Sequence, residues 1–397
     1  MTKKDNNVNR VTSWIRENQT FLLQILLGWL FSRLLLVAVC WFTSFYPVNP
    51  SFSDKAGKLF EYTPLWIADI WCRWDAGYYL SLIESGYQPV ADLGSNYSNL
   101  AFFPFYPWLV KTLAGLIPGV SAHRTAVILI GLLVSNLSFI LAMIGLFALT
   151  KTLFDEKAAQ RTVFFAFCLP GAFFYSALYT ESLFLCLAVY ACLCAEKKVW
   201  AGAGILGMFA ALTRSHGFLL FIPLALIYLD QKDWNLRQLG WSWLWLLLIP
   251  LAVIAHFVNL YQLTGDFFAF LEAQKAWKRS TGIIPNWQGY ARPLFGKSRW
   301  VSWVDFAMVL MTILSCVEMF RKKPYRSYAV YGLAAILITA TSGNFHSSLR
   351  FVIVIFPMLM WMGKKLEDPR KLAAVCTIFG MIQILFFSGW VKYYWIA

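Results

Sequence analysis

The chain has 397 residues, 59% hydrophobic and 14% charged, with a formal net charge of +14. Soluble domains are nearer half apolar and a quarter charged, and apolar runs of about twenty residues, the length a bilayer core requires, recur here from Phe21 onward. These numbers exclude a soluble domain. They also turn the basic excess into a matter of topology and lipid headgroups rather than nucleic acid, for which no binding motif is present.

The first stretch, MTKKDNNVNRVTSWIRENQT, is basic. The apolar run after it is too long for a signal-peptide core and lacks a small-residue cleavage site, so a retained first span is expected. Eleven spans are predicted, at about 21–46, 123–150, 162–178, 179–195, 200–213, 216–230, 241–262, 301–320, 328–342, 350–363 and 372–395. Several middle ones are short, as tilted or broken helices lining a cavity would be. Arg33 is the main charge within a span. The N-terminal stretch and five alternate short loops carry nineteen Lys and Arg, whereas the opposite short segments carry only Arg214, Arg350 and Lys392. The N-terminus is therefore expected in the cytoplasm and the C-terminus outside.

Two long loops, 47–122 and 263–300, then fall on the outer face, and long loops without a span of their own are usually functional. A single membrane domain over 1–397 is expected. The lack of repeated halves argues against transport. Of the eight cysteines, all but Cys72 lie in apolar runs, and Cys192-Leu-Cys194 has the wrong spacing for a redox or zinc pair. Neither a disulfide nor a structural metal is expected.

RWDAGYYLSLIESGYQP, from Arg73 to Pro89, opens the first long loop's chemistry. Read as one helix over 66–84, it gathers Trp66, Ile67, Ile70, Trp71, Trp74, Tyr78 and Leu82 on an apolar stripe, with Asp69, Arg73, Gly77 and Glu84 opposite. Such a stripe suits a helix lying in the membrane interface. Asp75 falls at its edge, at the height of a lipid headgroup. It is either a helix cap, a partner for a loop arginine, or a reacting group. Asp69 and Arg73 read as an i,i+4 ion pair, and Glu84 as a solvated acid. NLAFFPFYPWLVKTLAGLIPG (Asn99–Gly119) is too proline-broken for a span and makes a second aromatic interface element, an anchor or a groove wall.

Four other polar places interrupt the outer side. Tyr179, Thr180 and Glu181 sit where two spans meet, as a helix cap or as a functional acid. Thr213, Arg214, Ser215, His216 and Gly217 make a tight turn that suits a phosphate, or a snorkelling arginine. Asn344, His346, Ser347, Ser348 and Arg350 repeat that chemistry. The second long loop, with Asp266, Glu272, Gln274, Lys275, Trp277, Lys278 and Arg279, reads as a solvated amphipathic helix, a sugar platform or a lid. No GxGxxG, Walker loop, HExxH or GxSxG is present, and the cytoplasmic loops are too short to build a nucleotide site.

One outer acid facing several outer cations fits a sugar carried on a polyprenyl phosphate. The tail needs a lipid groove and the phosphate needs cations. The acceptor hydroxyl needs one base. The lipid phosphate leaves without an acid, given charge stabilisation, so a second carboxylate of the glycosidase kind is unnecessary. Direct displacement inverts the anomeric centre.

RWDAGYYLSLIESGY, AFFPFYPWLVK, FFYSALYTESLFL and GMFAALTRSHGFLLFIPL, in that order, resemble the PIG-V family, and HSSLRFVIVIFP resembles its late arginine-containing turn. That family contains the second mannosyltransferase of GPI-anchor assembly and bacterial relatives. The resemblance implies an all-α, polytopic GT-C glycosyltransferase of about eleven transmembrane helices, with amphipathic interface helices in the first outer loop. It implies a polyprenyl- or dolichyl-phosphate mannose donor and an essential acid, which maps onto Asp75. Arg214, His346 and Arg350 become donor-phosphate candidates, Tyr179 and Glu181 candidates for positioning acceptor or sugar, and Arg73, Trp74, Tyr78 and His216 further substrate-binding candidates. The acceptor is a glycolipid or a lipid-linked glycan hydroxyl. The partners are lipids and not nucleic acid, and no cofactor is expected. The compact length is bacterial in style and points to a plasma membrane; bacteria lack GPI anchors, so the acceptor stays open. The rival readings are a lipid or lipid-linked-sugar transporter, and transfer of another lipid-linked sugar such as glucose or arabinose.

Overall fold

The structure, a computed structural model, describes residues 13, 16–43, 45, 48–49, 62–89, 97–276, 300–341 and 347–396. Among these every regular element is helical. The first helix, α1 (Gln19–Thr43), shows which solvent the chain is built for. Phe21, Ile25, Arg33, Leu36 and Cys40 are its buried residues, while Leu23, Leu27, Phe31 and Leu34 are each more than half exposed. A helix apolar all round, with one narrow stripe facing protein, presents the rest to lipid. Gln19–Thr43, Arg124–Leu153, Trp241–Thr264, Val301–Phe320 and Pro369–Val391 are all long and apolar enough to cross a bilayer. The chain is an integral membrane protein.

The first long loop contributes α2 (Ala76–Ser85) and α3 (Phe105–Gly115). The central helix, α4 (Arg124–Leu153), packs against α5 (Glu156–Cys168) and α6 (Glu181–Glu196). Next come α7 (Trp200–Ala211), α8 (Phe221–Asp230), α9 (Leu248–Thr264) and the short α10 (Ala269–Lys275). The remainder is α11 (Trp300–Phe320), α12 (Arg326–Thr341), α13 (Ser348–Val352), α14 (Phe356–Lys365) and α15 (Pro369–Val391), the last packing beside α1. Lipid tails are as apolar as leucine, so close packing rather than water exclusion joins such helices, and small residues allow it. In α7, WAGAGILGMFAA, a Cβ on Gly204 would lie 2.2 Å from the Trp245 carbonyl oxygen.

Three of the predicted spans differ from the expectation. The predicted span 162–178 ends early: α5 stops at Cys168, just before Pro170, and only a 3-10 turn at Ala172–Ser176 interrupts the irregular stretch before α6. Irregular backbone survives at membrane depth only where protein groups replace water, and here they do. Gln383 Nε2 donates to the Leu169 carbonyl at 3.0 Å, Arg33 Nη2 to that of Ala172 at 3.3 Å, and Ser182 Oγ to that of Tyr175. Arg33 also donates from Nε to Ser176 Oγ at 2.6 Å and lies 4.8 Å from the Phe139 ring centroid, so it braces this break. The predicted span 350–363 is split into α13 and α14 by residues 353–355. The last predicted span overruns: α15 ends at Val391, Tyr393 adopts φ +60°, and the chain folds back so that the Tyr394 N–H donates to Gly389 O at 2.9 Å.

Candidate functional site

The continuous helix expected over 66–84 is overturned. It is one turn, Trp66–Asp69, then an irregular stretch, then α2 from Ala76. Asp69 is the cause. Its Oδ1 accepts from the N–H groups of Tyr62 (2.9 Å) and Thr63 (3.3 Å), which ties the incoming chain to this turn. Arg73 completes the knot, donating from Nη1 to Asp69 Oδ2 at 2.7 Å and from Nε to the Val391 carbonyl at 3.2 Å. The predicted Asp69–Arg73 pair therefore exists, but it lies in the interior, not on a polar surface, and Ile67 of the predicted apolar stripe is exposed. Glu84 is the partner of exposed Arg124, at 2.6 Å.

The knot ends at Trp74, which adopts φ +53°, a costly conformation for a residue with a bulky side chain. Its ring packs edge-on against Trp395 at 4.9 Å and Tyr393 at 6.2 Å. Behind it stands Tyr179, whose hydroxyl donates to the Arg73 carbonyl at 2.9 Å and accepts from the Asp75 N–H at 3.1 Å. These contacts fix the peptide that carries Asp75. Although Asp75 occupies the N-cap position of α2, its side chain makes no capping bond. The carboxylate instead turns to Arg350, with Oδ2 2.5 Å from Nη1.

Arg350 comes from α13, some 275 residues later. Its Nε donates to Glu181 Oε1 at 2.8 Å, and its guanidinium lies 4.3 Å from the Tyr179 ring centroid. The same Glu181 oxygen lies 2.7 Å from Arg214 Nη1, which also donates to Thr180 Oγ1 at 3.0 Å. A buried cluster of two arginines and two carboxylates results, formally neutral and ordered Asp75–Arg350–Glu181–Arg214. Glu181 is fully buried; Asp75 is the most accessible member, with its side chain 15% exposed. Gly217 lets the Arg214 turn close, since a Cβ there would lie 2.2 Å from the Ala210 carbonyl oxygen.

Asp75, Arg350 and Arg214 open onto one cavity, along with Thr180, Thr213, Ser215 and Ser347. Its other wall is aromatic: Phe102, Phe103, Phe270 and Trp395, with Tyr79 and the amide of Gln274. Burial, with the nearby charge of Glu181, pushes the Tyr79 phenol up to about 12, so it stays a neutral donor.

Three of the predicted site residues thus line the cavity. Glu181 and Tyr179 stand behind it, holding the arginines and the Asp75 peptide. Arg73 and Trp74 shape the loop. Tyr78 stacks on Phe102 at 4.9 Å. His216 is not among the lining residues; it stacks on Phe351 at 4.9 Å, with Nε2 3.1 Å from Thr339 Oγ1. His346 lies outside the described residues. Gln274, one of the polar residues of the second long loop, lines the cavity; Phe270 and Trp395 were missed, because an aromatic in an oily chain gives no signal of its own. The second long loop contributes through α10, which packs on the Asn99–Ala101 turn and brings Phe270 and Gln274 to the cavity. Among the described residues no three His, Cys, Asp or Glu side chains cluster as metal ligands.

Among solved structures the chain is similar to ArnT from Cupriavidus metallidurans bound to undecaprenyl phosphate: 16% identity, TM-score 0.49, 90% of this chain and 69% of that one covered. It is similar to the Archaeoglobus fulgidus oligosaccharyltransferase in the apo form at 14% identity and TM-score 0.48, spanning 93% of this chain but only 56% of that one. Likenesses at this level carry no argument about function. None of the curated proteins matches the chain. The sequence profile described as mannosyltransferase (PIG-V) matches residues 18–271, well over half the chain and inclusive of the Asp75, Glu181 and Arg214 segments. The chain belongs to the PIG-V mannosyltransferase family.

Proposed function

We propose that this cavity transfers a hexose, mannose on the family's precedent, from a polyprenyl- or dolichyl-phosphate carrier to a hydroxyl of a glycolipid or lipid-linked glycan, as a GT-C type enzyme working at the outer face of the membrane. The observation that carries the reading is the ion pair between Asp75 and Arg350 at the cavity surface. It joins a proton acceptor and an anion holder in one small space. The basic residues of the short loops support a cytoplasmic N-terminus, which puts the cavity on the opposite side.

The chemistry follows from charge. The resting cluster is neutral, and the donor brings one phosphodiester anion. Its phosphate takes the place of the Asp75 carboxylate at Arg350 Nη1, while Glu181 keeps Nε and so keeps the guanidinium in place. Arg214, Ser215 and Ser347 add donors on the same wall. Asp75, released, accepts the proton of the acceptor hydroxyl as that oxygen bonds to the anomeric carbon. The carbon–oxygen bond to phosphate breaks, and its electron pair stays on the lipid phosphate, stabilised by the arginines. The configuration inverts. The aromatic wall of Phe102, Phe103, Phe270 and Trp395 suits a sugar face, with Gln274 beside it as an amide.

The test uses the protein in lipid vesicles with radiolabelled polyprenyl-phosphate mannose and a total-lipid extract as acceptor source. Label should move from the carrier into a second lipid, and Asp75→Asn should slow this by roughly 10²–10⁴-fold, the range for loss of a general base. A wild type that leaves all label on the carrier, or an unimpaired Asp75→Asn, overturns the reading.

A further inference from the structure

We propose that Asp305 is a positioning residue for the donor-phosphate arginine, acting through the backbone of α13; this rests on the reading of the cavity given above. Asp305 lies five residues into α11, inside the apolar run WVSWVDFAMVLMTIL, and is 4% exposed. An ionisable group at that depth is expensive unless it has a defined partner. Its Oδ1 accepts from the N–H of Leu349 at 3.0 Å, and Leu349 immediately precedes Arg350.

The geometry gives this bond a purpose. A helix leaves its first N–H groups without partners. In α13 the residue before the helix, Ser347, sits at φ +64° and makes no side-chain cap. Asp305 supplies the acceptor from a different helix. Five residues are too few for a helix to hold its own orientation, so the rotation of α13 rests on what grips it from outside. That rotation decides where the Arg350 side chain leaves the backbone. It must do so at one angle to reach Glu181 with Nε and Asp75 with Nη1 together. Asp305 thus fixes the backbone next to Arg350, while the two carboxylates fix its side chain. The bond requires a lone pair and not a charge, so an amide oxygen can make it.

The test compares Asp305→Ala and Asp305→Asn, full length in lipid nanodiscs, in two assays. The first is hydrogen–deuterium exchange of the peptide over 347–352 without substrate. Exchange should quicken in Asp305→Ala and match wild type in Asp305→Asn. The second is transfer from polyprenyl-phosphate mannose. Asp305→Ala should lose about 10-fold or more in kcat/KM for the donor, as a displaced binding group does, with acceptor KM unchanged; Asp305→Asn should stay near wild type. Equal exchange in wild type and Asp305→Ala overturns the proposal. So does an Asp305→Asn protein as impaired as Asp305→Ala, or donor and acceptor KM rising together. If Asp305→Ala fails to fold, Asp305→Asn still decides, because the proposal requires it to behave as wild type in both assays. If wild type transfers no label, the function reading fails, yet the exchange assay still reports whether Asp305 holds α13.

Discussion

The charges at the cavity and those on the loops at the far ends of the helices are of the same kinds but do different work. Lys151–Glu156, Lys364–Asp155 and Lys365–Glu318 are pairs whose side chains are each more than a third exposed. Such pairs contribute about 0–1 kcal/mol each. The Asp75–Arg350–Glu181–Arg214 cluster lies almost wholly out of solvent. Burying four charges carries a desolvation cost that their mutual attraction roughly offsets, so a cluster of this kind is weak evidence for stability. Its persistence in an oily interior points to use. The exposed loop pairs sit in water and headgroups, where lysine and arginine bias orientation; a buried set opening onto a cavity is what the proposed exchange with a substrate's charge needs.

That contrast can be broken at several points, and the largest effect belongs to Glu181. Its removal in Glu181→Ala leaves two buried arginines without their shared carboxylate, which costs roughly 3–5 kcal/mol. Thermal unfolding in nanodiscs should show it as a clear drop in Tm, and a small drop would mean that the cluster is wetter than its burial indicates. Arg350→Lys keeps the charge but loses the planar fork that spans two carboxylates. Donor kcat/KM should fall on the order of 10²-fold, with thermal stability less affected than in Glu181→Ala; an active lysine variant would remove Arg350 from phosphate binding. Tyr179→Phe deletes the hydroxyl that holds the Arg73 carbonyl and the Asp75 N–H. About 1–3 kcal/mol is expected for the unpaired groups, read as a lower kcat at unchanged donor KM. Least affected should be Lys151→Ala, within about 1 kcal/mol in stability and without change in transfer. A larger loss there would erase the distinction between the two regions.

How much of this was legible in the sequence depends on whether a residue stood out from its neighbours. Asp75, Glu181, Arg214 and Arg350 did, because a charge at the outer end of an apolar run is rare and expensive. Asp305 gave the same signal within α11, but no second charge within the span accompanies it until Glu318, so it made no pattern. Trp395 and Phe270 gave none, and Gln274 stood out only as one polar residue of a mixed loop; they reach the cavity because α15 stops at Val391 and α10 folds onto the Asn99–Ala101 turn. The break after Cys168 had its sign in Leu169-Pro170-Gly171, yet hydropathy runs straight across it. The left-handed turn at Trp74 was invisible, because it is imposed by partners more than a hundred residues away, Tyr179 and Trp395. Periodicity reports local preference, and this site is assembled by contacts between distant segments.

The central claim is that the donor phosphate and Asp75 compete for Arg350. Measuring donor affinity and transfer rate side by side in Asp75→Asn tests it most directly, using polyprenyl-phosphate mannose and the protein in nanodiscs. With the competing charge gone, the donor should bind as tightly as to wild type or tighter, while transfer collapses. Weakened donor binding together with preserved transfer would contradict it.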